Sequence, residues 1–321
     1  MKLALIAEKS DHKLNAGAYS QAYFDMFIAL VNRFGKDTMV YYGDCSAKDI
    51  DADVIFFFDI HSSHNIKIEG IEHHPALKLS YFNDPHQREL RGHYKDGSSV
   101  HKRGAEQRVV RAVERGVDYI VVNDVPSYLK YIEPIWKSDY IYFPAVCDER
   151  RFDWDNGYYV MRKTEVLANG ATWAGDKSCY DFRNWAFNRP NVSFVEHCIK
   201  NKSTPAGRDY SALLSKYKAG LALCDWFPVN KYFEIPLAGC VSFMQWNSAC
   251  EGLGFVDNEN AVFVNKKNFD YRVNYFLNHP IEYLEIAEKG RNLVKNNYTA
   301  QKFAEYIFKR CENHCKGLSR G

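Results

Sequence analysis

The sequence predicts an α/β fold of two doubly wound domains with parallel sheets, and three observations carry that prediction. Short runs rich in Val, Ile, Tyr and Phe alternate with segments of helical periodicity along the whole chain. At 321 residues the chain is too long for one ordinary domain and suits two, each burying a core of its own. Two such alternating series stand in tandem, and the polar, Gly-interrupted segment CDERRFDWDNGYY between them places a linker near residues 147–160. The expected domains are 1–155 and 156–299, with a last helix over 300–321.

In the first series, KLALIA reads as a buried strand. A polar loop containing Gly17 follows, then a helix over Tyr19–Arg33 stopped by Gly35. Thr38–Tyr42, Asp53–Phe58 and Leu77–Phe82 have the compact apolar character of parallel strands. A helix over Ala105–Arg115, a strand over Tyr119–Val122, a helix over Ser127–Trp136 and a strand over Ile141–Phe143 complete it. The second series gives strands at Glu165–Gly170, Asn191–Glu196 and Ala219–Cys224, alternating with helices at Tyr180–Asn188 and Tyr210–Tyr217. Helices over Asp270–Asn278, Ile281–Asn296 and Ala300–Cys315 close the chain.

Composition narrows the function classes. Hydrophobic residues make up 46% and aromatics 15%, which argues against long disordered sections, and the formal net charge of +2 argues against a surface built wholly for a polyanion. The start MKLALIAEKSDHK is too briefly apolar for a signal peptide and no run reaches membrane-spanning length, so a soluble cytoplasmic protein is expected. The nine cysteines are odd in number, scattered and without a CxxC, which suits reduced, packed thiols. Cys311, His314 and Cys315 are read as helix-surface residues, because a closed zinc site needs four ligands and no second cluster matches them. His73 and His74 are read as surface residues in a turn, and no metal site is expected.

Chemistry concentrates in NKYFEIPLAGCV, Asn230–Val241, and the strand and loop after it. As a helix, this stretch places Lys231 and Glu234 three apart on one face, with Tyr232, Ile235 and Leu237 turned toward a core. Read alone, the pair is an ion pair on a solvated face or one edge of a ligand crevice at the end of a parallel sheet. Pro236 conflicts with a regular helix: either the helix begins later than Lys231 or it bends at Glu234.

YKAGLALCDWFPVNKYFEIPLAGCVSF, with EGLGFVDNENAVFV and AEKGRNLVKNNYTAQKFAEYI, resembles the C-terminal half of glycosyltransferases of the GT-B fold. It is similar to the spore-coat-associated CgeB and YkvP-like group of the glycosyltransferase group 1 superfamily. YFNDP, YIYFPAVCDERRFD and YDFR fit the same pattern. The resemblance implies two Rossmann-like domains facing a central cleft. It also implies a nucleotide-sugar donor, of the UDP class, on the C-terminal domain, and a last helix crossing back to the first. It maps the ribose-binding carboxylate onto Glu234, whose two oxygens suit a vicinal diol. An acidic residue common eight positions earlier is replaced by Trp226, with Asp225 one position off, so a retaining hexosyl transfer is preferred on half a motif.

A donor diphosphate calls for cations, and Lys231, Lys177 and Arg183 are the candidates, the last two beside the Gly170–Gly175 turn. Arg183 reads equally well as a solvated helix residue, and Tyr232 and Asn230 complete the expected donor-binding set. On the acceptor side Asp59 and His61 follow one strand, and Asp84 and His86 follow another. Asp84, His61 and Asp59 are the candidate bases for the acceptor hydroxyl, Asp84 foremost. Between His86 and Arg115 stand eight Lys or Arg against four Asp or Glu, which raises DNA or an acidic glycan as acceptor beside a neutral glycan or a protein. No cofactor beyond the donor substrate, and no metal, is expected. The alternatives are an epimerase or hydrolase of nucleotide sugars, or a sugar-binding protein that lost its chemistry.

Overall fold

The computed structural model describes residues 1–7, 20–58, 66–82, 108–144, 146–152, 156–170, 180–195 and 208–318. The chain divides into two compact units: Met1–Ala16, Tyr23–Pro144 and Gln301–Gly321 form unit 1, while Gly17–Ala22 and Ala145–Ala300 form unit 2. The segment 147–160 thus lies within unit 2.

Unit 1 is built on a six-stranded parallel sheet. Its strands are β1 (Leu3–Ala7), β2 (Thr38–Tyr42), β3 (Val54–Phe57), β4 (Leu77–Phe82), β5 (Tyr119–Val122) and β6 (Tyr140–Tyr142), in the order β2-β1-β3-β4-β5-β6. All five residues of β1 and all four of β3 are buried, as continuous apolar runs in a sheet covered on both faces must be. Helix α1 (Ser20–Phe34) stops where Gly35 takes a φ of 79°, the left-handed conformation that ends helices. Helical residues 108–114 and helix α2 (Val125–Tyr131) flank β5. The helix expected as far as Trp136 stops at Tyr131, three residues before Pro134.

The C-terminal segment of unit 1 is helical and packs on this sheet. Phe303 is fully buried, edge-on to Phe56 at 6.4 Å and to Phe143 at 5.3 Å, and Phe308 meets Phe34 at 5.0 Å. Two surface readings are corrected in this unit. Cys311 is fully buried, and burial pushes its thiol up to about 12, so it packs as an inert hydrophobe. His74 is half-buried rather than solvated: its Nδ1 accepts the Ala76 amide at 3.1 Å, so Nε2 carries the proton toward Ile50 O at 2.9 Å.

Unit 2 begins with α3 (Asn156–Met161) and carries a five-stranded parallel sheet. The elements are β7 (Lys163–Asn169), α4 (Asp181–Phe187), β8 (Ser193–Val195), α5 (Arg208–Leu214), β9 (Tyr217–Ala222), α6 (Lys231–Leu237), β10 (Val241–Met244) and β11 (Val262–Phe263). The strand order is β8-β7-β9-β10-β11, so the chain reverses direction between β7 and β9. In open α/β sheets, the carboxyl ends of the strands flanking such a reversal form a ligand-binding crevice. After β11 come α7 (Phe269–Asn278), a 3₁₀ turn over Pro280–Tyr283 where one continuous helix was expected, α8 (Leu284–Asn297) and α9 (Ala300–Leu318), which leads into unit 1.

Two glycines set the position of α6. At Gly220 in β9 a Cβ would lie 3.2 Å from Ile235, so a side chain there would require Ile235 and the helix to give by a few tenths of an ångström. At Gly290 in α8 a Cβ would fall 2.5 Å from the Asn260 carbonyl and 3.5 Å from Pro236, which is the close packing that holds α8 on α6. No helix among the described residues is long and apolar enough to cross a membrane.

Candidate functional site

The helix α6 starts at Lys231, and Pro236 lies inside it. The conflict seen in the sequence is resolved by length. Pro236 is the penultimate residue, so its missing amide removes one bond just before the helix ends through Ala238 N–H to Glu234 O at 3.0 Å and Gly239 N–H to Pro236 O at 2.8 Å. Lys231 and Glu234 therefore stay on one face and are both half-buried, so the pair is not a fully solvated one.

Four elements bring charged and aromatic groups together at the carboxyl edge of the unit 2 sheet. Gly170 follows β7 with a φ of 143°, and a Cβ there would meet Lys231 Cε at 3.4 Å and Arg183 at 3.5 Å. Arg183, from α4, is 4% exposed rather than solvated, which removes the solvated-helix reading. Its Nε donates to Leu223 O at 2.9 Å, just beyond β9, and its guanidinium lies 3.7 Å over the Tyr180 ring. Lys231 Nζ sits 4.8 Å from the centre of the Tyr210 ring, which belongs to α5. Gly170, Arg183 and Lys231 thus share one spot at the switch between β7 and β9.

The electrostatics of this spot are unusual. Burial pushes the Lys231 ammonium down to about 8, the Glu234 carboxylate opposes the shift, and Arg183 adds to it. Tyr210 is pushed well above its usual value by burial and then by the Glu234 charge. Two cations lie side by side against aromatic faces, with one carboxylate on the same helix face. An anion placed between them would relieve their mutual repulsion and the cost of enclosing an ammonium.

The other expected donor-side residues fall differently. Tyr232 is fully buried, and its hydroxyl is within 3.4 Å of Cys224 O and 2.5 Å of Gln245 O, so it ties the ends of β9 and β10 together beneath the surface. Asn230 occupies the N-cap position of α6 without a side-chain capping bond. Asp225, next to the expected acidic position at Trp226, accepts from Gln245 Nε2 at 2.7 Å. Lys177, Asp59, His61, Asp84 and His86 lie outside the described residues, as does most of the basic run up to Arg115. Among the described residues no three His, Cys, Asp or Glu side chains gather as a metal site.

Sequence reasoning placed Gly170 in a turn beside Arg183 but missed Tyr180 and Tyr210 as parts of the same cluster. The spacing of Tyr180 and Arg183, three apart across a helix start, was a local signal for their stacking. The approach of Tyr210 to Lys231 had none.

Residues 194–309 match the family model described as Glycosyl transferase-like. No curated protein sequence matches the chain. Among solved structures, the sucrose-phosphate synthase of Thermosynechococcus elongatus superposes with a TM-score of 0.63 at 10% identity, over 99% of this chain and 100% of that one. HepE of Anabaena, in complex with UDP and glucose, gives 0.59 at 9% identity over 98% and 100%. An alpha-glucosyltransferase in complex with UDP-glucose and DNA containing an abasic site gives 0.56 at 10% identity over 97% and 99%. The fold is that of the GT-B glycosyltransferases. At such low identity these likenesses carry the fold and leave substrate and chemistry to the residues themselves.

Proposed function

We propose that the protein is a glycosyltransferase that moves a sugar from a nucleotide-sugar donor of the UDP class to a hydroxyl acceptor, with the nucleotide held on unit 2. The observation that supports this most is the meeting of Gly170, Arg183 and Lys231 at the switch between β7 and β9, with Glu234 one turn along α6. A diphosphate needs two cations and a backbone without a side chain in the way, and a ribose diol needs a carboxylate acceptor. Charge that builds on the diphosphate as the sugar leaves is met by Arg183 and Lys231, so no metal ion or other cofactor is required. The UDP and UDP-glucose of the similar structures favour UDP as the nucleotide and a hexose as the sugar.

Unit 1 carries the acceptor side in this reading, with Asp84 foremost and His61 and Asp59 as further candidates for the base. A retaining outcome, the CgeB and YkvP-like subgroup and a cytoplasmic setting belong to the same proposal. They rest on the NKYFEIPLAGCV stretch and, for the setting, on seven described cysteines that carry free thiols. The acceptor is a glycan, a protein or modified DNA.

The test is a thermal-shift screen of nucleoside diphosphates. UDP should raise the melting temperature of the wild-type protein and not that of Glu234→Ala; no rise with any nucleoside diphosphate would overturn the reading. Turnover of the sugar nucleotide without an acceptor then separates chemistries, because rapid conversion signals an epimerase or hydrolase and slow leakage signals transfer.

A further inference from the structure

Unit 1 contains a recess of about 330 Å³ at the opposite end of its sheet from the carboxyl edge. Leu77 opens β4, Tyr119 opens β5, and Asp139 directly precedes β6, so the recess lies at the amino ends of three neighbouring strands. The register pairs Leu79 with Tyr119 and Val121 with Ile141. Because side chains alternate across a strand, Leu77, Leu79, Tyr119 and Ile141 therefore share one face and form an apolar floor. The last turns of α9 supply the opposite wall through Arg310, Asn313 and His314.

The polar groups of this recess are arranged around Tyr119. His314 lies edge-on to its ring at 5.9 Å, with Nδ1 3.4 Å from the hydroxyl, and Arg310 lies 5.9 Å from the ring centre. Lys302, Lys309 and Lys316 on the same helix are each paired with Glu305 or Glu312. Arg310, by contrast, has the Tyr119 face and, among the described residues, no carboxylate partner. Asp139 lines the same recess and likewise has no cation paired with it among the described residues. A guanidinium, a carboxylate and an apolar floor thus face one small volume without neutralising each other.

We propose that this recess is a binding site for a compact zwitterion with an apolar body, of the chemistry of a free apolar amino acid. Its carboxylate would lie on Arg310 and the Asn313 amide, its ammonium on Asp139, and its apolar side chain on the floor of Leu77, Leu79 and Ile141. The volume falls at the lower end of the range of small-molecule sites, and several polar groups converge on it above a narrow apolar floor. The site is built from unit 1 residues alone, and the proposal holds whether or not the protein transfers sugars.

The experiment uses the full chain with leucine and its two halves, 4-methylpentanoate without the ammonium and 3-methylbutylamine without the carboxylate. Saturation-transfer NMR and titration should show leucine bound more tightly than either half. Arg310→Gln and Asp139→Asn should each weaken leucine binding about tenfold, as loss of one charge-assisted contact does. Both positions are exposed, so the variants should fold, and melting temperature without ligand checks this. Absence of leucine binding, equal binding of a half, or binding unchanged in both variants would overturn the proposal.

Discussion

Replacing Lys231 by Met removes an ammonium that the fold holds at a cost, and the cost can be worked from the structure. Burial brings this group from 10.5 to about 8, a difference equivalent to roughly 3 kcal/mol against the charged form. Because the rim of the site is partly wet, about 2–3 kcal/mol is the expected gain for Lys231→Met at pH 7. That figure already includes the lost attraction to Glu234, which acts on the same ionisation. The sign follows from the depressed native value: below pH 8 both states hold the proton and the native state suffers from it. Between pH 8 and 10.5 the native state releases the proton while the unfolded chain keeps it, so wild-type stability rises with pH there. Thermal unfolding of both proteins from pH 7 to pH 10.5 should show the variant melting roughly 4–10 °C higher at pH 7, with the gap closing toward pH 10.5. A variant no more stable at pH 7, or a gap independent of pH, would refute the reasoning.

The same enclosed cation predicts that UDP affinity, measured by titration from pH 7 upward, where the terminal phosphate is fully ionised, falls as pH rises above about 8, since the dianion binds the protonated ammonium. Gly170→Ala should cost about 1–3 kcal/mol of backbone strain at its φ of 143°, seen in melting temperature, and should weaken UDP binding, because the new Cβ would take up the space beside Lys231 and Arg183. Gly220→Val should destabilise the protein by about 1–3 kcal/mol by pushing Ile235 and α6 off β9, read by denaturant unfolding. Phe303→Ala should cost about 3–5 kcal/mol, because the side chain is fully buried between Phe56 and Phe143. UDP binding at low temperature should survive that last change.

Most strands of both sheets were legible because buried parallel strands read as continuous runs of Val, Ile, Leu and Phe, as in β1 and β3. The helix carrying Lys231 and Glu234 was legible too, since their spacing fixes a shared face whatever surrounds it. Pro236 misled because propensity describes helix interiors, and α6 is so short that its proline falls in the final turn. The burial of Arg183 was illegible: a lone Arg on a short helix gives no sign that the Leu223 carbonyl, 40 positions away, waits for it. Tyr210 against Lys231 is likewise a long-range meeting made by strand order. His74 and Cys311 read as surface groups because neither local sequence reveals the carbonyl or the packed helix that claims it.

The central claim, that unit 2 holds a nucleoside diphosphate between Arg183 and Lys231 with its ribose on Glu234, is tested most directly by calorimetric titration of UDP at pH 7. Wild-type protein should bind UDP, and Glu234→Ala should bind at least about tenfold more weakly, as loss of hydrogen bonds to a carboxylate implies. No binding to the wild type, or equal affinity in Glu234→Ala, would contradict it.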